Sequence, residues 1–129
     1  MTVELAILAP TLILLLALVV FAGRVQTSSA AVEQAARAGA RDASLTRTPD
    51  AALATATTTA TAELTGSDCI TTAIDVDTAG FSAPLGQDGA VTITITCTVT
   101  IADLAVPGLP GTRTITATAT SPLDRYRTR

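Results

Sequence analysis

Histidine, lysine and tryptophan are absent from this chain of 129 residues, and only two cysteines are present. Histidine, lysine and cysteine supply many of the general bases, nucleophiles and metal ligands of proteins, so their scarcity leaves few ways to build a catalytic or metal site. The sequence also has no glycine-rich phosphate-binding loop. We therefore expect a protein that is not an enzyme and that binds no cofactor and no metal ion.

Strong charge and large aromatic side chains are also scarce. The net charge is −3, which is too weak to indicate a nucleic-acid partner. Phe21, Phe81 and Tyr126 are the only aromatic residues. A core of Ala, Val, Ile and Leu buries little area per residue, and small domains of this kind often need a covalent staple.

A long uncharged run is what the sequence does contain. Glu4 and Arg24 bracket residues 5–23, none of which is charged. As a helix this run would be about 28 Å long, enough for the hydrocarbon core of a bilayer. We predict a retained transmembrane helix over residues 1–24, with a kink near Pro10. The alternative is a signal peptide cleaved near Ala30 or Ala31.

The helix is expected to continue beyond the membrane as an extension over residues 25–47. A stripe of small side chains recurs there at helical spacing, and it would let another helix or a sheet approach closely. Glu33 and Arg37, four residues apart, are placed to form an ion pair. The residues predicted to pack in this stripe are Val25, Val32, Ala36, Gly39 and Ala43.

The remaining residues, 48–129, are predicted to form a small extracytoplasmic α+β domain. Thr48 and Pro49 are typical of a helix start, and Gly66 of a helix stop. The expected buried stripe of this second helix is Leu53, Ala56, Ala60 and Leu64.

Alternating apolar and polar residues then predict three antiparallel strands near residues 70–76, 91–101 and 114–120, with a turn at residues 107–111. One face of the sheet is apolar and the other is rich in threonine. Residues 123–129 are expected to be a frayed polar tail; docking to a partner, to anionic headgroups or to an envelope polymer is the alternative.

The two cysteines, Cys69 and Cys97, both lie in this domain. An even number of cysteines behind a membrane segment predicts a disulfide in an oxidising compartment, and two free buried thiols are the alternative. Cys97 lies on the apolar face of the second strand. Cys69 has the wrong parity for that face, so we expect it just before the first strand or at a bulge.

Several features of the first 45 residues together resemble the TadE-like family, pilin-related proteins of tight-adherence (Flp, type IVc) pilus systems. They are Glu4 ahead of the apolar run, the Leu-Ala-Pro ending at Pro10, Phe21 and the segment AARAGAR at residues 35–41. The resemblance implies a pilin-like subunit or minor pilin. Its implied partners are other pilin-like subunits, the assembly machinery, the lipid bilayer and, if a leader is present, a prepilin peptidase.

We expect Glu4 and Pro10 to act in assembly, and the resemblance implies that Glu4 pairs with the N-terminal amine of an adjacent subunit. From charge alone, Glu4 could instead lie among headgroups or cap its helix. Arg24, Arg37 and Arg41 follow the span, which by the positive-inside rule favours a cytoplasmic domain, whereas the expected disulfide favours the opposite side. We expect a single-pass protein with its C-terminal domain outside the cytoplasm. The alternative function is a monomeric membrane-anchored protein of the cell envelope that binds a partner or polymer.

Overall fold

The computed structural model describes residues 2–104, 108 and 110–126, with the backbone alone at residues 103 and 104. The predicted α+β fold is confirmed: a long N-terminal helix, a second helix and a three-stranded antiparallel sheet are present. The elements in chain order are α1 (Thr2–Ser44), α2 (Pro49–Glu63), β1 (Thr71–Asp77), a 3-10 turn (Ala79–Ser82), β2 (Ala90–Thr100), α3 (Ile101–Leu104) and β3 (Thr112–Pro122).

Helix α1 is 43 residues long and remains helical through Pro10. It ends slightly before the predicted Arg47, because the chain tightens into a turn. There the Leu45 N–H donates to Asp42 O (3.2 Å) and the Thr46 N–H donates to Ala43 O (3.1 Å). The predicted ion pair is present on the exposed face, with Arg37 Nη2 3.3 Å from Glu33 Oε2.

Helix α2 begins as its sequence predicts. Thr48 is the N-cap and accepts a hydrogen bond from the Ala51 N–H (3.2 Å), and Pro49 is the first helical residue. The predicted burial of Leu53 is wrong: its side chain is 49% exposed, and the buried residues are Ala52, Ala56 and Ala60. The packed face of α2 approaches α1 closely, which suits alanine better than leucine.

The sheet has the order β1-β2-β3, with Ile95 of β2 opposite Ile74 on one side and Ala117 on the other. Strand β2 alternates buried and half-buried residues along its whole length. It ends at Thr100, so Ile101, the last residue of the predicted strand, instead begins α3. Of the predicted turn at residues 107–111, Gly108 and Gly111 have positive φ angles (94° and 131°), while residues 107 and 109 lie outside the described residues.

The hydrophobic core lies between the two long helices and the sheet. Residues 32–43 of α1 supply its centre, with α2 packed alongside and β2 and β3 beneath. At Gly39, α1 lies close to both α2 and the sheet. A Cβ atom added there would lie 2.9 Å from Ile93 Cδ1 and 3.2 Å from the Ala56 carbonyl oxygen. The lack of a side chain at Gly39 therefore lets α1 contact both neighbours.

The domain has two distinct ends along α1. At the distal end, Ser121 Oγ donates to Ser44 Oγ (3.0 Å), so the end of β3 lies beside the end of α1. At the proximal end, near the uncharged run, Thr27 and Ser28 line a cleft together with the α2–β1 connection, and α3 contacts α1. Strands β2 and β3 thus extend from the distal end back toward residue 25 of α1.

The chain after β3 packs against the loop before β2 at residues 123–125. The prediction of a frayed tail is therefore wrong for these residues. The Leu123 side chain is buried, and its N–H donates to Gly89 O (2.8 Å). Arg125 Nη2 lies 2.8 Å from Asp88 Oδ2, and Arg125 O accepts from the Gly86 N–H (3.0 Å). Residues 127–129 of the predicted tail lie outside the described residues.

Candidate functional site

The first half of α1 is the most unusual surface of the molecule. It contains an 18-residue window of mean hydropathy 2.9, and none of that window is buried by the rest of the chain. Leucine, isoleucine and valine side chains project around its circumference, including Leu5, Ile13 and Leu18. A helix that is apolar all round needs an apolar environment. This half of α1 is a candidate membrane span and a candidate surface for contact with other apolar helices.

Glu4 lies in the first turn of α1, with exposed apolar neighbours at Val3 and Leu5. It forms no ion pair with any residue that the structure describes. The positive end of the helix dipole favours a carboxylate at this position. Glu4 therefore presents an exposed carboxylate at the edge of the apolar surface.

The stripe of small residues lies within the folded domain. Val32, Ala36, Gly39 and Ala43 are buried against α2 and the sheet of the same chain, and Val25 is half-buried at the proximal end. Ala35 and Ala40 are also buried, because α1 contacts a helix and a sheet at once and so buries a wider arc than one stripe. The sequence pattern did not reveal this second contact.

A disulfide joins Cys69 to Cys97, with Cα atoms 5.4 Å apart, which is the pairing that the sequence predicts. Cys69 lies just before β1. The Ile70 N–H donates to Thr98 O (2.7 Å), while Thr71 is also the register partner of Thr98. Two successive residues therefore oppose one, as in a β-bulge, which lets Cys69 reach the apolar face.

The outer face of the sheet is a regular array of threonines. The β2–β3 register places five pairs of threonines directly opposite one another. Two pairs are hydrogen-bonded through their hydroxyls: Thr92 to Thr120 (3.0 Å) and Thr94 to Thr118 (3.3 Å). Such cross-strand pairs stabilise a solvated sheet face, and this face offers hydroxyl and methyl groups to any partner.

A groove of about 560 Å³ separates α2 from the edge strand β1. Its described lining consists of threonine, serine, leucine and isoleucine side chains and the disulfide-bonded Cys69, and none of these residues is an acid or a base. At the end of β1, Asp77 Oδ1 accepts a hydrogen bond from the Ala79 N–H (2.9 Å), which holds the turn that follows the strand. We interpret the groove as a gap in the packing between α2 and the edge of the sheet.

The apolar half of α1, with Glu4 at its head, is therefore the candidate site. Residues 1–41 match the family model described as TadE-like protein. The resemblance predicted from the residues is confirmed over this segment. No curated protein and no solved structure matches the chain. The TadE-like segment includes Glu4, Pro10 and all of α1 except its last three residues, and it ends before α2.

Proposed function

We propose that this protein is a pilin-like, membrane-anchored structural subunit or minor pilin that takes part in assembling or anchoring a tight-adherence pilus. The observation that carries the proposal is that the TadE-like match covers nearly the whole of α1. The TadE-like match ends at residue 41, and the helix it covers is apolar and unburied in its first half and built into the domain core in its second. One continuous helix thus joins the apolar surface rigidly to the domain.

Such a helix suits a subunit that passes from a bilayer into a bundle of like helices. Lipid chains and neighbouring apolar helices both remove the apolar surface of α1 from contact with water, which is favourable. Other pilin-like subunits, the lipid bilayer and the assembly machinery are the partners proposed, with a prepilin peptidase acting on any leader. The chain is proposed to act structurally, without catalysis, and to bind no nucleic acid.

The proposed topology places the domain outside the cytoplasm. Support comes from the Cys69–Cys97 disulfide, because disulfides persist in oxidising compartments. The arginines that follow the span, Arg37 and Arg41 among them, favour the opposite orientation. We give the disulfide more weight than the arginines, because one of its two cysteines, Cys97, is fully buried at the centre of the fold.

A second candidate function is a monomeric envelope protein that binds a partner or polymer through the threonine face. The array of paired hydroxyls is the observation that favours it. This function needs the anchor but not Glu4. A test of Glu4 therefore distinguishes the two functions.

The test compares two glutamates of α1, Glu4→Gln and Glu33→Gln. Both side chains are exposed, but only Glu4 lies beside the apolar run, while Glu33 pairs with Arg37. Each variant replaces the wild-type gene in the native cell, and pilus assembly and co-isolation with pilus subunits are measured. We expect Glu4→Gln to abolish incorporation and Glu33→Gln to keep it, with the disulfide formed in both. Equal incorporation of the two variants would remove Glu4 from the mechanism.

A further inference from the structure

Strand β1 is the edge of the sheet that the rest of the domain covers least. Its outer side pairs with no strand that the structure describes, so backbone N–H and C=O groups of alternate residues point away from the sheet. Its inward residues Ile74 and Val76 are only half-buried, whereas Ile115 and Ala117 of the opposite edge strand β3 are buried. A further strand beside β1 would therefore meet both free backbone groups and incompletely covered side chains.

The groove of about 560 Å³ lies between this edge and α2, on the side where the inward side chains of an added strand would point. Helix α2 contributes Thr57 and Thr61 to its lining, and β1 contributes Thr72 and Ile74. Burying a charge against such uncharged side chains is costly. The groove therefore suits small uncharged side chains such as valine, alanine and threonine.

Two carboxylates determine which charge the outward side of an added strand would carry. Asp75 and Asp77 are exposed and lie on the threonine face of the sheet, since their register partners are Thr94 and Thr92. Neither aspartate forms an ion pair with any residue that the structure describes. Opposite charges on directly opposed residues of neighbouring strands stabilise the pairing, and like charges destabilise it. The outward residues of the added strand are therefore expected to be arginine or lysine.

We propose that β1 and the groove beside α2 bind an extended segment of a partner protein, which adds to the sheet as a fourth strand. The segment carries basic side chains at alternate positions, opposite Asp75 and Asp77, and small uncharged side chains between them, which enter the groove. In this mode of recognition, main-chain hydrogen bonds supply affinity and the alternate side chains supply specificity. The proposal goes beyond pilus assembly through α1 and does not depend on it.

The test titrates the full-length protein, in a zwitterionic detergent, with synthetic peptides that match β1 in length, seven residues. The probe peptide alternates arginine with valine. One control peptide has glutamate in place of arginine, and another has proline in place of the central valine, which removes a backbone N–H from the strand. We expect the probe peptide to bind and to slow amide hydrogen exchange along β1, and neither control peptide to do so.

Matched variants test whether the peptide occupies this surface. Thr57 and Thr58 are both exposed, and each hydroxyl donates to the carbonyl oxygen four residues before it, but only Thr57 lines the groove. We expect Thr57→Trp, which fills the groove, to abolish binding of the probe peptide and Thr58→Trp to keep it. Asp75→Asn should weaken binding about twofold to fivefold, whereas Asp50→Asn, at an exposed site in the first turn of α2, should not.

Three results would overturn the proposal. Binding of the probe peptide without slower exchange along β1 would reduce the contact to charge attraction. Absence of binding would show that Asp75 and Asp77 protect the edge from pairing, as charged residues do at many sheet edges. Equal binding by Thr57→Trp and Thr58→Trp would place the peptide outside the groove.

Discussion

At the scale of single residues, Gly39 determines how closely the three layers approach. It is the buried glycine of α1, with Ile93 of the sheet on one side and the backbone of Ala56 on the other. Helix propensity alone would favour almost any residue other than proline over glycine in a helix interior. The packing around Gly39 opposes that preference. Helix propensity predicts that a substitution of Gly39 stabilises the domain, whereas packing predicts that it destabilises the domain.

We predict that Gly39→Val destabilises the domain by about 1–3 kcal/mol, since a Cβ atom alone would already lie 3.2 Å from the Ala56 carbonyl oxygen and the further atoms of valine would overpack the site. The measurement is the thermal unfolding midpoint of the full-length protein in detergent. Ala30→Val is the control, because Ala30 is exposed on the same helix and should change the midpoint little. A midpoint for Gly39→Val equal to or above that of the wild type would show that α1 and α2 are not in contact at Gly39.

At the scale of elements, β1 is the least supported strand. It lies at an edge of the sheet, and its inward residues Ile74 and Val76 are only half-buried. Ile74 lines the groove beside α2, which leaves it partly uncovered. The disulfide ties the start of β1 to the centre of β2 across 28 residues of sequence. The covalent bond thus supplies stability that burial does not.

We predict that Cys69→Ser/Cys97→Ala loses about 3–4 kcal/mol, the chain-entropy value for a loop of this size. The loss of stability should be larger in β1 than at the β2–β3 pairing, and hydrogen exchange can measure this difference. Amides of β1 should exchange much faster, while amides at the β2–β3 pairing stay protected. The wild type under reducing and non-reducing conditions is the control. Unchanged protection of β1 in the reduced protein would show that the strand does not depend on the disulfide.

The elements also show what the sequence could and could not predict. The alternation along β2 identified its buried face, because a period of two sustained over eleven residues is typical of a strand and does not fit a helix. The buried side of α2 was missed at Leu53, because the closeness of two helices, which sequence hydrophobicity does not report, decides between alanine and leucine. The docking of Leu123 and Arg125 was missed because their partners, Gly89 and Asp88, are distant in sequence.

At the scale of the whole molecule, one helix connects two environments. Its first half is unburied and apolar, and its second half is the centre of the domain. Sequence identified the apolar half and Glu4 through composition and the TadE-like resemblance. The position of the domain relative to the end of the apolar run could not be predicted, because it depends on how β2 and β3 pack along α1.

The central claim is that α1 is retained as an anchor and that the domain is oxidised outside the cytoplasm. Intact mass together with N-terminal sequencing of the protein from its native membrane tests both parts most directly. We predict an N-terminus at or just before Met1 and a mass lower than the reduced value by the hydrogens lost in one disulfide. An N-terminus near Ala30 or Ala31 would mean a removed signal peptide, and a mass equal to the reduced value would mean free thiols; either result would contradict the account.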